Sequence, residues 1–332
     1  MIPTIVGALL FNFLLFKLLP GSPDDYSAGK VYGSPFQEGH VNTTNNFLAS
    51  PPTVSIDVLE EPLWKQFTTM TCRYMFFDFG KSYFQDKTVI TLIKESLLVS
   101  LSLGLLGMVI SYLIAVFLGI FKATHDGSFV DRFSALVLTF FYATPHFLLG
   151  VILIIVFAGG TYVDWFPLQG LISHYWDQLS WSHKILDSLH HLVLPLLTIV
   201  LGSIGSFTFF IKNALQAELK KPYIQGVYAR GGTSHQALYG HALKHIVVLI
   251  IAHIPQSFTR IFFMNTLVVE LVFSLNGMGF LVFQAILKRD YPVVFGTLFI
   301  FILIGLVVQL LVDIAMTFFD PRLHFKGGRQ YD

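Results

Sequence analysis

The chain alternates between long apolar runs and shorter polar segments. Six runs are long and apolar enough to cross a bilayer core of about 30 Å as helices, at residues 1–19, 97–121, 133–157, 189–211, 246–272 and 293–312. A single strand would leave its backbone polar groups unsatisfied in lipid, so helices are the expected form. The pattern predicts an all-α polytopic membrane protein with six transmembrane helices, of which the run 1–19 is barely long enough.

A polar, basic segment at residues 221–245 lies between two of these runs. It contains Lys221, Arg230 and Lys244 together with several alanines and glycines. Small residues and positive charge in a loop between spans are typical of a docking surface for a soluble partner. An ordinary basic loop is the alternative interpretation.

The distribution of Lys and Arg predicts the orientation. With the N-terminus inside, the inside segments hold ten of these residues, whereas the short outside loops hold only Lys184, Lys288 and Arg289. This agrees with the positive-inside rule, in which a loop as long as residues 20–90 has little weight. Both termini are then cytoplasmic, residues 20–90 form a periplasmic segment, and residues 321–332 form a cytoplasmic tail. The aromatic stretch 63–84 is interpreted as a small cap or amphipathic helices on the outer surface, with a partly ordered loop as the alternative.

Composition excludes several classes of protein. The chain is 54% hydrophobic and 12% charged, with a mean hydropathy of +0.66, which is outside the range of ordinary soluble domains. A net charge of +1 argues against nucleic-acid binding, which needs a concentrated basic face. Cys72 is the single cysteine, so no intrachain disulfide can form. We expect no cleavable signal peptide, since the first run lacks a basic leading segment and an Ala-x-Ala end.

Two short motifs resemble a nucleotide-binding loop and a metal site, but each lacks a residue that such a site needs. Gly80-Lys81-Ser82 is like the end of a phosphate-binding loop, but Met75 stands where the first glycine belongs. His241 and His245 are one helical turn apart, as metal ligands often are, but no third ligand is nearby. We therefore expect neither a metal site nor a bound nucleotide in this chain.

A set of ordered motifs carries a family resemblance. Residues 223–231 read Tyr-Ile-Gln-Gly-Val-Tyr-Ala-Arg-Gly, and residues 241–244 read His-Ala-Leu-Lys. The chain resembles the B-type permease subunits of dipeptide/oligopeptide ABC importers at these positions and at residues 269–274, 277–279, 289–294 and 320–322. Segments 165–170, 176–181, 184–187 and 273–277 are similar to the Yej-type peptide/microcin branch. One departure is Leu249, where many of these permeases have a proline.

The resemblance implies a type I ABC importer permease core of the MetI-like kind, placed at residues 91–320 with five transmembrane helices and a cytoplasmic coupling loop at 212–245. It implies a bacterial inner membrane location and short peptides as substrate. The implied partners are a second homologous C-type permease subunit, cytoplasmic ABC ATPase subunits and a periplasmic peptide-binding protein. The chain itself would be no enzyme and hold no cofactor, because ATP would be bound by the ATPase subunits.

The same resemblance implies how the loop works. Gln225, Gly226 and Val227 occupy the positions of the family's Glu-Ala-Ala triplet, in a short coupling helix that seats in a groove of the ATPase, and Gly231 is its glycine. Small residues permit close approach, and Gly231 can adopt a positive φ. The triplet has no glutamate here, so a salt bridge at that position is not expected. The predicted coupling residues are Tyr223, Gln225, Gly226, Val227, Ala229, Arg230, Gly231 and His241, and Arg230, Lys220 and Lys221 are candidates for pairing with acids of the partner.

Three further charged residues are candidates for the translocation path or a gate. Arg260 falls near the middle of the fifth run, where a charge is costly and usually faces protein or water. It is interpreted as lining a cavity with a peptide carboxylate or Glu270 as partner; an internal ion pair or snorkelling are the alternatives. Glu270 and Asp290 are candidates for an outer gate, with a helix-terminal or interfacial charge as the simpler account.

Two other classes of function compete with the importer. A secondary transporter or channel would need ionisable residues deep in several spans, whereas Arg260 alone is clearly mid-span. A membrane scaffold without transport is the third hypothesis, and uptake by a reconstituted complex separates it from the first.

Overall fold

The computed structural model describes residues 2–18, 62–160, 162–173 and 175–319. Predicted features that fall on 19–61 and 320–332, including the tail, lie outside the described residues. The described part is nearly all helical, and its one β-type pairing is an isolated bridge between Lys81 and Thr88, so the all-α prediction is confirmed there. Its helices are α1 (Ile2–Leu18), α2 (Leu63–Met75), α3 (Val89–Thr124), α4 (Phe129–Ala143), α5 (His146–Phe157), α6 (Trp181–Leu219), α7 (Pro222–Ala229), α8 (Gln236–Val272), α9 (Met278–Lys288) and α10 (Tyr291–Phe319).

Four of the described helices are long and apolar enough to cross a membrane: α3, α6, α8 and α10. The pair α4 and α5 passes the same test when taken together, which gives five at most. Helix α1 is apolar but only 17 residues long. The predicted number of six spans is therefore not established by the length and composition of the helices.

The apolar pattern predicted one continuous helix over the run 133–157. The structure instead has two helices, α4 and α5, whose axes are bent by 101°. The break falls at Thr144 and Pro145, whose ψ angles of 126° and 138° are extended. Proline has no backbone N–H to donate, and its ring disfavours helical backbone at the preceding residue. The sequence carries this signal at Pro145, but the uninterrupted hydrophobicity on either side concealed it.

The described residues divide into two compact units. The first lies within Met1–Lys94 and Val282–Leu303. Its core includes an aromatic cluster in which the Tyr74 ring lies 5.0 Å from Phe79 and 5.5 Å from Phe299. The stretch 63–84 thus contains a helix and an ordered turn, while its position on the outer surface stays a prediction.

The second unit lies within Glu95–Leu281 and Ile304–Asp332, and α6 is its central helix. Helix α6 packs against α4, α5 and α8 and also approaches α3 closely. A Cβ added at Gly107 of α3 would lie 2.8 Å from Ile199 of α6, and one at Gly119 would lie 2.7 Å from Ile211. Real side chains do not approach this closely, so glycine at these two positions lets the two spans touch.

A buried ion network joins the ends of α3, α4 and α6 in the second unit. Asp131 lies between two ammonium groups, with oxygen–nitrogen distances of 2.8 Å to Lys122 and 2.9 Å to Lys212. Lys212 also lies 2.8 Å from the exposed Asp126, and the hydrogen bond from Lys212 lowers the pKa of the Asp126 carboxyl. The network fixes the turn between α3 and α4 against α6, close to where α7 begins.

Candidate functional site

The predicted coupling loop contains the short helix α7. It begins at Pro222, a favourable first residue because the missing N–H would have no partner there. It ends at Ala229, and Arg230 and Gly231 follow, the latter with a φ of +80°. Glycine adopts this conformation without the penalty that a Cβ imposes. The predicted positive φ at Gly231 is confirmed, and the chain reverses there with the Gly231 N–H donating to Tyr228 O at 2.9 Å.

One face of α7 is anchored to the ends of the neighbouring spans. Ile224 is fully buried, and Val227 packs beside it. The same apolar cluster contains Leu215 from α6 and Ala237, Leu238, Ala242 and Ile246 from α8. Gly232 completes the anchor, since its N–H donates to Val227 O at 3.0 Å and a Cβ there would collide with Val227. The helix is thus held rigidly to the two long spans that it connects.

The opposite face of α7 is uncovered, and its residues are small or polar. Gln225 and Ala229 are exposed, Gly226 lies between them, and a Cβ at Gly226 would meet nothing within 4 Å. We call Gln225, Gly226 and Ala229 the docking face. A backbone bare of side chains lets a partner surface approach closely.

Tyr223 and Lys221 have partners within the chain. The buried Glu218 carboxylate accepts a hydrogen bond from the Tyr223 hydroxyl at 2.7 Å and pairs with the Lys221 ammonium at 2.6 Å. The Tyr223 ring also lies 5.4 Å from that of His245. Lys221 was a predicted candidate for pairing with a partner protein, but here it neutralises a buried acid at the start of α7. Lys220 and Arg230 are exposed.

The start of α8 carries a capping box that the sequence reading missed. The Thr233 N–H donates to Gln236 Oε1 at 3.0 Å, and the Gln236 N–H donates to Thr233 Oγ1 at 3.3 Å. The sequence signal was present as Thr-x-x-Gln. The first turns of α8 are a π-helix, Gln236–Ala242, on which His241 is exposed. No group of three or more potential metal ligands occurs among the described residues.

Glu270 of α8 is fully buried, and its carboxylate lies at the N-terminus of α9. Its carboxylate accepts hydrogen bonds from the Ser100 hydroxyl and from the Phe280 N–H at 3.0 Å. Ser100 Oγ in turn accepts from the Met278 N–H at 2.7 Å, and a Cβ at Gly277 would collide with the carboxylate. A carboxylate is favourable at a helix N-terminus, where N–H groups lack partners. This is the helix-terminal role that the sequence analysis kept as the simpler account.

Asp290 is likewise buried and bonded within its own unit. Its carboxylate accepts hydrogen bonds from the Ser82 hydroxyl and from the Tyr83 N–H, the latter at 3.2 Å. The Asp290 carbonyl accepts the first hydrogen bond of α10, from Val294. Ser82, considered above as part of a nucleotide-binding loop, instead links the turn before α3 to the start of α10.

Comparison with known proteins decides the family. The family described as "Binding-protein-dependent transport system inner membrane component" matches residues 115–325, well over half of the chain. The chain belongs to this family. Its members are membrane permease components of transport systems and are not themselves catalytic, which agrees with the apolar spans of this permease.

Relatives match along nearly the whole permease. "Peptidoglycan transport system permease protein YejB" of Agrobacterium fabrum is 38% identical over 98% of this chain and 96% of its own. "Inner membrane ABC transporter permease protein YejB" of Escherichia coli O157:H7 is 37% identical over the same shares. "Probable peptide ABC transporter permease protein y4tP" of Sinorhizobium fredii is 31% identical over 95% of this chain and 94% of its own. The similarity to Yej-type permeases is thus confirmed, and the permease is a multi-pass inner-membrane protein.

Arg260 is the one predicted path residue whose charge has no partner within the described part of the permease. It forms no ion pair with a described carboxylate. Glu270, predicted as a possible partner, is ten residues further along α8 and bonded to Ser100 and Phe280. That part of the prediction is wrong, since the Glu270 carboxylate caps a helix instead.

Proposed function

We propose that this chain is the permease subunit of an ATP-driven importer of short peptides in the bacterial inner membrane. It forms one translocation path together with a second, homologous permease. Cytoplasmic ATPase subunits bind and hydrolyse the ATP, and a periplasmic binding protein delivers the peptide. The subunit crosses the membrane six times, with α1 as the first span, the α4–α5 pair as the third and both termini in the cytoplasm.

Peptides are the proposed substrate because several relatives are named as peptide permeases. The relative from Sinorhizobium fredii is named a probable peptide permease, and a Bacillus subtilis relative, 25% identical over 98% of this chain, is named an oligopeptide permease. The Agrobacterium relative is named for peptidoglycan transport. Peptides and the peptide-bearing fragments of peptidoglycan share an amide backbone, so the class of substrate is peptide or peptide-like.

The docking face of α7 is the single observation that carries the mechanism. A helix of eight residues that is anchored on one side by Ile224 and Val227 moves as a rigid part of α6 and α8. Its other side offers Gln225, Gly226 and Ala229 to a partner. Force applied to this face is transmitted directly into two membrane spans. ATPase closure would therefore shift the spans and change the side of the membrane to which the path is open.

Positive charge surrounds the docking face. Lys220 and Arg230 are exposed at the two ends of α7, and the helix itself contains no acid. Exposed charges of one sign orient an approaching partner of the opposite sign more than they strengthen the final complex. We expect acidic residues around the groove of the ATPase subunit, and salt should slow its association.

The test is to place a bulky side chain on the docking face. A Cβ at Gly226 meets nothing within 4 Å, so the side chain of Gly226→Trp starts in open space and the fold of the permease should be unchanged. We expect the ATPase subunits to be lost when the tagged complex is extracted in mild detergent, while the second permease is retained. Peptide uptake by the reconstituted complex should be lost with them.

Gly226→Ala is the matched control, because a methyl group at the same position is too small to block the groove and alanine favours the helix. It should keep the ATPase subunits and uptake. If Gly226→Trp retains the ATPase subunits and drives uptake at the wild-type rate, the docking face is not the coupling surface. If the wild-type chain purifies alone and transports nothing with ATP, the importer proposal itself is refuted.

A further inference from the structure

Helix α8 presents a polar stripe in the middle of an apolar span. His253, Ser257 and Arg260 follow one another at intervals of four and three residues, so they share one face of the helix. Tyr112 of α3 meets this stripe, with its hydroxyl 2.8 Å from His253 Nδ1 and 2.7 Å from Ser257 Oγ. The His253 ring stacks on Phe210 of α6, with 4.2 Å between centroids. Two neighbouring spans, α3 and α6, therefore hold the stripe in place.

His146 joins the cluster because of the break between α4 and α5. It is the first residue of α5, directly after Pro145. Its imidazole lies against Gly202 of α6, where a Cβ would collide with the ring. The Nε2 atom is buried and has no hydrogen-bond partner among the described residues. Buried polar atoms usually have a hydrogen-bond partner, and no described residue supplies one here.

Arg260 is a positive charge within electrostatic reach of these groups. It acts electrostatically on Tyr112, His146 and His253, and its side chain is only partly buried. It also opens the second π-helical segment of α8, Arg260–Asn265, and such segments occur frequently at functional sites. One cation thus acts on two imidazoles and a phenol, and no described carboxylate forms an ion pair with it.

This arrangement lacks an anion. A charge within a membrane span is tolerated where it faces a polar cavity or a partner of opposite charge. A guanidinium presents its N–H donors in a planar fork that matches a carboxylate with two parallel hydrogen bonds. The His146 Nε2 atom is packed against Gly202 of α6, so the guanidinium is the group that is left for a ligand. A carboxylate that arrives with the substrate would supply the counter-ion that Arg260 lacks among the described residues.

We propose that Arg260, at the end of the polar stripe that begins with His253, binds the C-terminal carboxylate of a peptide in transit. The proposal rests on the proposed function, because it assigns the step to the peptide path. Binding of the carboxylate by Arg260 makes the permease selective for peptides that end in a free carboxylate over those that end in an amide. Arg260 is then a substrate-binding residue, while Tyr112 and Ser257 position His253.

A cysteine-protection experiment tests this without ATP and without the binding protein. Met264 is 66% exposed and lies one turn beyond Arg260 on the same face of α8. Met264→Cys in a Cys72→Ser background, in the otherwise cysteine-free complex in nanodiscs, is labelled with a water-soluble maleimide. Labelling is measured with an alanine tripeptide as the free acid or as the C-terminal amide. Val247→Cys is the matched control, since Val247 is 44% exposed and lies outside the stripe.

The proposal predicts that the acid slows labelling at Met264→Cys at a concentration at least tenfold lower than the amide. Labelling at Val247→Cys should be unaffected by either. With Arg260→Met the advantage of the acid should disappear, and with Arg260→Lys part of it should remain, since the charge is kept and the fork is lost. Equal labelling rates without peptide in these variants show that the fold is intact.

Three results would overturn the proposal. The first is a Met264→Cys that the water-soluble reagent does not label, because the stripe would then face lipid. The second is equal protection by acid and amide. The third is an unchanged preference for the acid in Arg260→Met. None of these depends on ATPase docking, so they are distinguishable from a wild-type complex that fails to couple ATP to uptake.

Discussion

Replacing Asp131 with asparagine tests how the adjoining ends of α3, α4 and α6 are held together. The carboxylate lies between the ammonium groups of Lys122 and Lys212, at 2.8 and 2.9 Å. The Lys122 side chain is 1% exposed. Asp131→Asn removes the negative charge but keeps the size and one acceptor oxygen of the side chain. Lys122 is then a buried cation without a counter-ion, whereas Lys212 still has Asp126 at 2.8 Å.

The expected loss of stability in Asp131→Asn follows from the stranded charge of Lys122. Removing one partner of a buried ion pair costs about 3–5 kcal/mol, because the remaining charge stays buried and uncompensated. Lys122 would keep two neutral acceptors, the Asp131 carbonyl at 2.6 Å and the Ser134 hydroxyl at 2.9 Å. We therefore expect the lower end of that range, about 3 kcal/mol. The exposed Asp126 gives the comparison, since solvent screens its ion pair with Lys212 and Asp126→Asn should cost much less than Asp131→Asn.

The measurement is the free energy of unfolding of the purified permease by SDS titration in mixed micelles. The double variant Lys122→Met/Asp131→Asn should recover about 2 kcal/mol of the loss, because an apolar side chain of similar length replaces the stranded charge. The reasoning is refuted if Asp131→Asn costs no more than Asp126→Asn. It is equally refuted if the double variant is as unstable as Asp131→Asn alone, since the buried charge would then not be the cause.

Two further predictions concern the buried carboxylates. Gly277→Ala should destabilise the permease by about 1–3 kcal/mol in the same titration, because the added methyl group displaces Glu270 from the end of α9. The matched change Gly305→Ala meets no atom within 4 Å and should be neutral or slightly stabilising, so equal losses would count against the cap. Ser82→Ala and Asp290→Ala should each destabilise, and a double-variant cycle should give a coupling of about 1 kcal/mol from their shared hydrogen bond. Strictly additive losses would show that the bond contributes nothing.

The sequence by itself determined the class of the protein and the backbone turn at Gly231. Long apolar runs predict membrane spans because unsatisfied backbone groups are costly in lipid and a helix pairs them within its own run. Gly231 was predicted to adopt a positive φ, and it does so at +80°, because a backbone preference of this kind is local. A short helix in the predicted coupling loop was implied by the family motif, and the structure places it at Pro222–Ala229.

Tertiary structure decided what the isolated charges do. Glu270 and Asp290 looked like candidates for a gate because a charge at the end of a span has many possible partners. Their partners, Ser100 and Ser82, are 170 and 208 residues away in the sequence, and only folding brings them together. The cluster around Arg260 is assembled in the same way, from α3, α5 and α8. Apolar pattern and turn residues act locally and can be read along a chain, whereas the partner of a charge is set by which helices pack together.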